Sequence, residues 1–425
     1  MIFALVNPNW DFSGSIYFGC REPHFPLELG YSKALIERSG HSARIVDAHL
    51  EGLSLEETKK RVGELKPDFI VVTTAPGYLF WRCPQPELRV PKRLLAELAD
   101  YPAVKVAIGP HASVTPSAAL MKLGADVVVM GEPEMVLPEL AGGNLDKVKS
   151  ICYRSGPDIR TQGGPRASDV TVLPALRWPS EYVSRRAHHH HRFCSDMSGL
   201  GAEVEASRGC PYSCTFCAKR EFRNNYRKRP LPAVLDEIDC LIAGGVEYIY
   251  FIDEIFMPDR KLLESLSARK VKFGIQTRID LWKPAMLELL GEAGCVSIEA
   301  GVESVSEAGR AHLGKRCAIT TDELAFLLMT AKRGVNFVQA TLLESSMDDP
   351  EVVEAWRSLL INAGIWVNSP VPLFPYPGSE EYSRRWGEPD SRAWERAHEH
   401  YLAENGSFSD IQESDPLPLA ELEAV

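Results

Sequence analysis

Two α/β domains in tandem are predicted for this chain: an N-terminal doubly wound, Rossmann-like parallel sheet, then a partial (β/α)6 TIM-like barrel. Two patterns and one motif predict it. Between residues 1 and 143, five short apolar runs alternate with helical patterns, as expected of strands buried on both faces of a parallel sheet. From 201 to 378, strand and amphipathic helix alternate again through six units. Directly after the first strand of that second series come Cys210, Cys214 and Cys217.

In the first domain, strands are expected at 2–6, 43–47, 69–73, 104–108 and 127–130. The first helix, 27–39, is closed by Gly40, a residue suited to the left-handed turn that ends helices. In such sheets ligands sit beyond the carboxyl ends of the strands, where strand order reverses. Those ends carry Asn7, then Thr73 and Thr74, then Gly109 and His111, then Gly131 and Glu132, a polar, turn-rich rim. No G-x-G-x-x-G follows the first strand, so a dinucleotide is poorly supported.

Residues 144–200 shift to Pro, Arg, Ser and Gly and read as a linker with a hairpin at 155–158. Within it stand His188, His189, His190 and His191, followed by Cys194. Two of these imidazoles with the thiol would make a zinc-ligand set; a packed or solvated segment and a substrate contact are the other readings.

The barrel strands are expected at 202–206, 248–252, 272–277, 296–301, 335–342 and 365–370, the second and third read without a helix between them. A helix at 232–243 places Val234, Leu235, Ile238, Leu241 and Ile242 on one face. Another helix follows at 284–293. Thr320 and Glu323 form a capping-box pattern that opens a helix closed by Gly334, and Asp349 with Pro350 opens the next. Residues 379–425 form an acidic, helical extension, a cover or an interface.

Composition narrows the function classes. Apolar residues make up 45% and charged residues 25% of the 425, the proportions of a globular protein with room for two cores. No run of roughly 18 apolar residues is present to cross a bilayer, and the N-terminus reads as a strand, not a secretion signal. No membrane partner and a cytoplasmic location are expected. The formal net charge of −11 argues against a nucleic-acid partner, since phosphate contacts need clustered Lys and Arg. Outside 210–217 the cysteines are too scattered for a disulfide scaffold.

The spacing C-x3-C-x2-C offers three thiolates from one loop and leaves one iron of a four-iron cluster open. Structural zinc and electron-transfer clusters usually close with four protein ligands. A loop following the first barrel strand lies on the carboxyl-end face, where barrel active sites are built.

The motif, with Phe216 before the third cysteine, resembles the radical SAM superfamily, and the likeness runs from about 202 to 378. The first 140 or so residues look like the cobalamin-binding domain found ahead of such barrels. The resemblance implies a 4Fe-4S cluster on Cys210, Cys214 and Cys217, S-adenosylmethionine at the open iron, and cobalamin. It places Phe216 near the adenine, Asp253 and Glu254 at the amino group, Arg278 at the carboxylate, and Glu299 and Glu303 along the ribose and substrate side. Cobalamin would lie on Asn7, Thr73, Thr74, Gly109, His111, Gly131 and Glu132. The segment from Asp11 to Gly14 lacks the histidine of the cobalt-ligating D-x-H-x-x-G pattern, which implies binding without that lower ligand. A second departure follows the fifth barrel strand, where relatives read G-x-P-G-E and this chain reads Ala340 to Ser346 without it.

The implied activity is reductive cleavage of S-adenosylmethionine to a 5′-deoxyadenosyl radical, fed by a low-potential electron donor, flavodoxin or ferredoxin. Methylation of an unactivated carbon on a small molecule, saccharide or natural-product precursor is the expected outcome, and rearrangement or cyclisation without methyl transfer is the alternative. The cofactors carry the bond-making, so no catalytic side chain is assigned. A non-enzymatic alternative is a structural zinc protein using the three cysteines and a linker histidine.

Overall fold

Strand order 2-1-3-4-5 in a parallel sheet creates one point where neighbouring connections leave in opposite directions, and the first unit of this protein is built on that order. The computed structural model describes every residue except 18, 20, 79–80, 186–198, 219–222, 406–414 and 425. The described residues divide into two compact units, 1–176 with 216–224 and 374–425, and 177–215 with 225–373. No helix among them is long and apolar enough to cross a membrane. The His188–191 run and Cys194 lie outside the described residues.

In the first unit the strands are β1 (Ile2–Asn7), β2 (Ser42–Asp47), β3 (Phe69–Thr73), β4 (Val104–Ile108), β5 (Val127–Val129), β6 (Ile151–Ser155) and β7 (Asp158–Gln162). They pair in the order β2-β1-β3-β4-β5-β6-β7, the first five parallel and the last two antiparallel. The expected hairpin at 155–158 forms through Gly156, at φ +64, and extends the sheet. All five residues of β3 and the last five of β1 are buried, as expected where helices cover both faces. The helix Leu55–Glu64 starts on a complete capping box between Ser54 and Glu57. Sheet order reverses between β1 and β3, so the crevice beyond their carboxyl ends is the ligand position of this topology.

The C-terminal residues belong to this unit. Helices Glu380–Trp386 and Ala393–Asn405 bring Tyr382, Trp394, Ala397 and Tyr401 into one buried cluster with Ile16, Ala218, Phe374 and Tyr376. The Leu417 N–H donates to the Gly14 carbonyl at 2.8 Å, and Glu423 accepts from the Leu88 N–H at 2.9 Å.

In the second unit the strands are β8 (Leu200–Val204), β9 (Ser207–Arg208), β10 (Arg227–Lys228), β11 (Val246–Phe251), β12 (Lys272–Thr277), β13 (Cys295–Glu303), β14 (Phe337–Leu342) and β15 (Trp366–Val367). Six of them make a parallel sheet in chain order, β8-β11-β12-β13-β14-β15, while β9 and β10 pair separately. Sequential parallel order joined by helices is the consequence of repeated right-handed crossovers, and it gives the expected partial barrel. The Thr320–Glu323 capping box opens helix Thr321–Gly334, and Asp349 caps helix Pro350–Asn362. Helix Glu307–His312 was not expected, nor was a longer one. Arg260–Arg269 joins β11 to β12, capped by Asp259 and burying Leu262, Leu263 and Leu266; the cap followed by that apolar spacing was its sequence signal.

Candidate functional site

Few backbones are pinned as thoroughly as the stretch leading into the cysteines. Immediately after β8, Glu205 and Arg208 are fully buried and form a fork, Nε to Oε1 at 3.0 Å and Nη2 to Oε2 at 2.7 Å. Arg229 donates to the Glu205 carbonyl at 2.7 Å and to Glu237 Oε2 at 2.8 Å, also without solvent exposure. Charges taken out of water survive only when paired and hydrogen-bonded, so these two guanidinium groups hold the chain on a specific path. Asp253, at the end of β11, accepts from the Ala206 N–H at 2.8 Å and from the Ser207 hydroxyl. Glu254 accepts from the Gly209 N–H at 2.6 Å.

Cys210 and Cys214 follow at once, both outside any disulfide and partly exposed. The end of their loop is tied by the Thr215 N–H to the Leu313 carbonyl at 2.9 Å. Gly314, at φ +65, lies so close that a Cβ there would sit 3.0 Å from the Ser213 carbonyl oxygen. Cys217 is likewise outside any disulfide and partly exposed, in the segment 216–224 of the first unit, with Phe216 half-buried beside it. Among the described residues, no three His, Cys, Asp or Glu side chains converge as ligands of a single metal ion.

The residues expected around S-adenosylmethionine occupy three settings. Asp253 is 2% exposed, and burial pushes its carboxyl up to about 8, opposed by the Ser207 and Ala206 hydrogen bonds. Its carboxylate and that of Glu254 face the loop backbone. Arg278 forks onto Asp280 at 3.2 and 2.7 Å, lies 4.0 Å over the Tyr212 ring inside the cysteine loop, and keeps a buried Nη1 with no partner. Glu299 and Glu303 project from alternate positions of β13, where burial alternates with the period of a strand.

Two glutamines missed from the sequence share the Glu299 row. Gln276 on β12 and Gln339 on β14 are in register with Glu299, and all three are half-buried. The alternation of polar and apolar residues along β12 to β14 was the signal. Glu303 sits at a register shift with φ +64, a conformation costly for a non-glycine residue. Lys315, 2% exposed, holds it there through an ion pair and also donates to the Gly301 carbonyl at 2.7 Å. Bulges of this kind re-aim side chains beside active sites.

In the first unit the predicted rim residues cluster at the carboxyl ends of β1, β3, β4 and β5. Asn7 bridges Asp47 and the Trp10 indole at 2.7 and 2.9 Å. Thr73 and Thr74 are fully buried and their hydroxyls lack partners among the described residues. His111 is equally buried, and burial pushes its pKa down to about 3 against the opposing pull of the Pro86, Gln85 and Thr74 backbone. Gly109, at φ +131, approaches Thr74 so closely that a Cβ would lie 2.4 Å from Oγ1. Gly131 passes the Arg166 backbone just as tightly. Glu132 accepts from the Ser168 N–H at 3.0 Å. Helix Ala393–Asn405 adds Trp394, its ring tilted 34° to that of His111 at 4.2 Å, and carries His398, buried with both nitrogens unpartnered among the described residues. Neither was singled out from the sequence, because nothing local marks a helix 280 residues away as part of this rim.

Known proteins resemble this chain in sequence and in fold. The radical SAM superfamily model matches residues 204–357. An uncharacterized methyltransferase of Pyrococcus horikoshii is 24% identical over 370 residues, 83% of this chain and 77% of its own. The anaerobic magnesium-protoporphyrin IX monomethyl ester cyclase of Cereibacter sphaeroides is 25% identical over 358 residues, 77% of this chain but 55% of the cyclase. Among solved structures, the methyltransferase TsrM from Kitasatospora setae, with cobalamin and a 4Fe-4S cluster bound, superposes with a TM-score of 0.70 at 16% identity, over 89% of this chain and 73% of that one. The cobalamin-dependent S-adenosylmethionine radical enzyme OxsB gives 0.68 at 16% identity, over 92% and 63%. The segment 204–357, with the three-cysteine loop near its head, is a radical SAM domain, and the protein is a radical SAM enzyme whose barrel follows a sheet domain of the fold seen in those cobalamin-bound proteins.

Proposed function

We propose that this enzyme is a cobalamin-dependent methyltransferase that carries a methyl group to an unactivated carbon of a small-molecule substrate. The observation that carries the reading is the cysteine loop: three thiols outside any disulfide in C-x3-C-x2-C spacing, delivered by a backbone pinned through Glu205, Arg208, Arg229, Asp253 and Glu254. Three ligands suit a 4Fe-4S cluster with one iron left for S-adenosylmethionine. The free Arg278 Nη1 suits a carboxylate, and the half-buried row Gln276, Glu299 and Gln339 offers polar contacts along the barrel face.

Cobalamin is supported by the first unit. Thr73 and Thr74 keep buried hydroxyls without partners among the described residues, which is costly unless a ligand satisfies them. These groups are neutral, as suits a large ligand edged with uncharged amides. Gly109 and Gly131 keep the backbone close where a side chain would intrude.

When bound, the cluster and S-adenosylmethionine supply a one-electron C–S cleavage that generates a hydrogen-abstracting radical, and cobalamin supplies a methyl carrier. The chain's own residues bind and orient. Arg278 would take the S-adenosylmethionine carboxylate, Asp253 and Glu254 hold the backbone of the cysteine loop, and Lys315 pairs with Glu303 at its bulge. A low-potential flavodoxin or ferredoxin as donor, and a cytoplasmic setting, follow from the same reading. Cyclisation without methyl transfer is the second reading, favoured by the likeness to the cyclase of Cereibacter sphaeroides.

Anaerobic reconstitution with iron, sulfide and hydroxocobalamin, followed by S-adenosylmethionine and dithionite, tests the proposal. A brown protein that releases 5′-deoxyadenosine and passes deuterium from methyl-labelled S-adenosylmethionine to a product supports it. A colourless protein holding one zinc overturns it.

A further inference from the structure

Arg223 stands six residues beyond Cys217, and both lie in the segment 216–224 of the first unit. The side chain is only 1% exposed and its backbone has φ +52. A buried guanidinium and a left-handed non-glycine backbone are each unfavourable, so surrounding contacts must hold both in place. The guanidinium carbon lies 4.3 Å from the centroid of the Tyr78 ring, over its face, a geometry that attracts a cation most strongly when water is excluded. Tyr78 is itself immobilised. Its N–H donates to Glu28 Oε2 at 3.2 Å and its hydroxyl to Glu134 Oε1 at 2.6 Å, while Glu134 Oε2 accepts from the Ser168 hydroxyl at 2.7 Å. Burial pushes the Glu28 carboxyl up to about 8, and Arg223 lies near enough to pull against that rise. Tyr78 follows β3 and Glu134 follows β5, so the cage stands on the carboxyl-end rim of the sheet.

We propose that Arg223 is a positioning residue: packed on the Tyr78 ring near the Glu28 carboxyl, it holds the chain six residues beyond Cys217 to the N-terminal sheet, and so sets the third thiol relative to whatever the sheet rim binds. A cation serving stability alone would have no reason to be buried here on a strained backbone. The proposal rests on the assigned function only in its last readout.

The first test uses the full-length, metal-free chain under anaerobic conditions. Alkylation of each cysteine by iodoacetamide is followed by mass spectrometry in the natural protein, Arg223→Gln and Arg223→Lys. Loss of the clamp should speed modification of Cys217 about tenfold, a local opening, with Cys210 and Cys214 unchanged. Arg223→Lys should fall between, since lysine keeps the charge but not the planar fork. Should Arg223→Gln fail to fold, Tyr78→Leu decides, removing the ring face while the charge stays, with a rise of about threefold in Cys217 modification expected. Equal Cys217 rates in all proteins, or parallel acceleration of all three cysteines with a lowered melting temperature, overturn the proposal. In reconstituted protein, Arg223→Gln should keep its iron and release 5′-deoxyadenosine yet form less product per 5′-deoxyadenosine. Absence of that release from the natural protein would count against the function and leave the thiol result standing.

Discussion

Replacing Asp253 with asparagine separates the carboxyl's role in the loop from its cost to the fold. Asp253 is 2% exposed, and burial raises its pKa from 3.8 to about 8. The folded protein therefore keeps a proton that the unfolded chain releases above about pH 4, so stability falls as pH rises toward about 8 and levels off beyond. At 1.36 kcal/mol per unit, this one group contributes about 2.7 kcal/mol of lost stability between about pH 5 and pH 7. Asparagine keeps an acceptor for the Ala206 N–H but cannot ionise. Glu28 and Glu87, raised by burial to about 8 and about 7, tilt both proteins alike and cancel in the difference. Urea unfolding of the metal-free protein, followed through the fluorescence of Trp282, buried in the barrel unit, gives the two slopes. The variant should gain on the natural protein by about 2 to 3 kcal/mol across that interval. A difference below about 1 kcal/mol would show that Asp253 is not a buried, protonated group, and the reasoning would fail.

Arg229→Met should lower stability by about 3 to 5 kcal/mol, because it leaves the fully buried Glu237 carboxylate without its cation; chemical denaturation measures it. Gly109→Ala places a methyl group 2.4 Å from Thr74 Oγ1 at φ +131, costing about 1 to 3 kcal/mol and weakening hydroxocobalamin binding in a spectral titration. Cys214→Ala should cut iron content after reconstitution to near background while leaving the melting temperature of the metal-free protein unchanged, since that thiol is partly exposed and outside any disulfide.

Local chemistry made much of this protein readable. The five parallel strands of the first unit fall within a residue or two of the apolar runs, because burial on both faces demands an uninterrupted apolar stretch. Thr320 with Glu323, and Asp349 with Pro350, announce their helices because a cap satisfies N–H groups only three or four residues away. The helix Arg260–Arg269 was overlooked even though Asp259 and its leucines carry the same kind of signal.

The spacing of the three cysteines, and their place after a strand, were likewise written in the chain. Their support was not. Asp253 meets the Ala206 N–H across 47 residues, and Gln276 aligns with Glu299 and Gln339, only because strand register puts them there. Arg223 looks like one basic residue among several until the fold sets it over the Tyr78 ring near Glu28. Trp394 reaches the rim of the first sheet from the far end of the chain. Periodicity and capping act over a few residues, so sequence alone determines the elements and the order of the ligand atoms. Which distant charge each buried group meets depends on how those elements pack, and that was decided only by the tertiary structure.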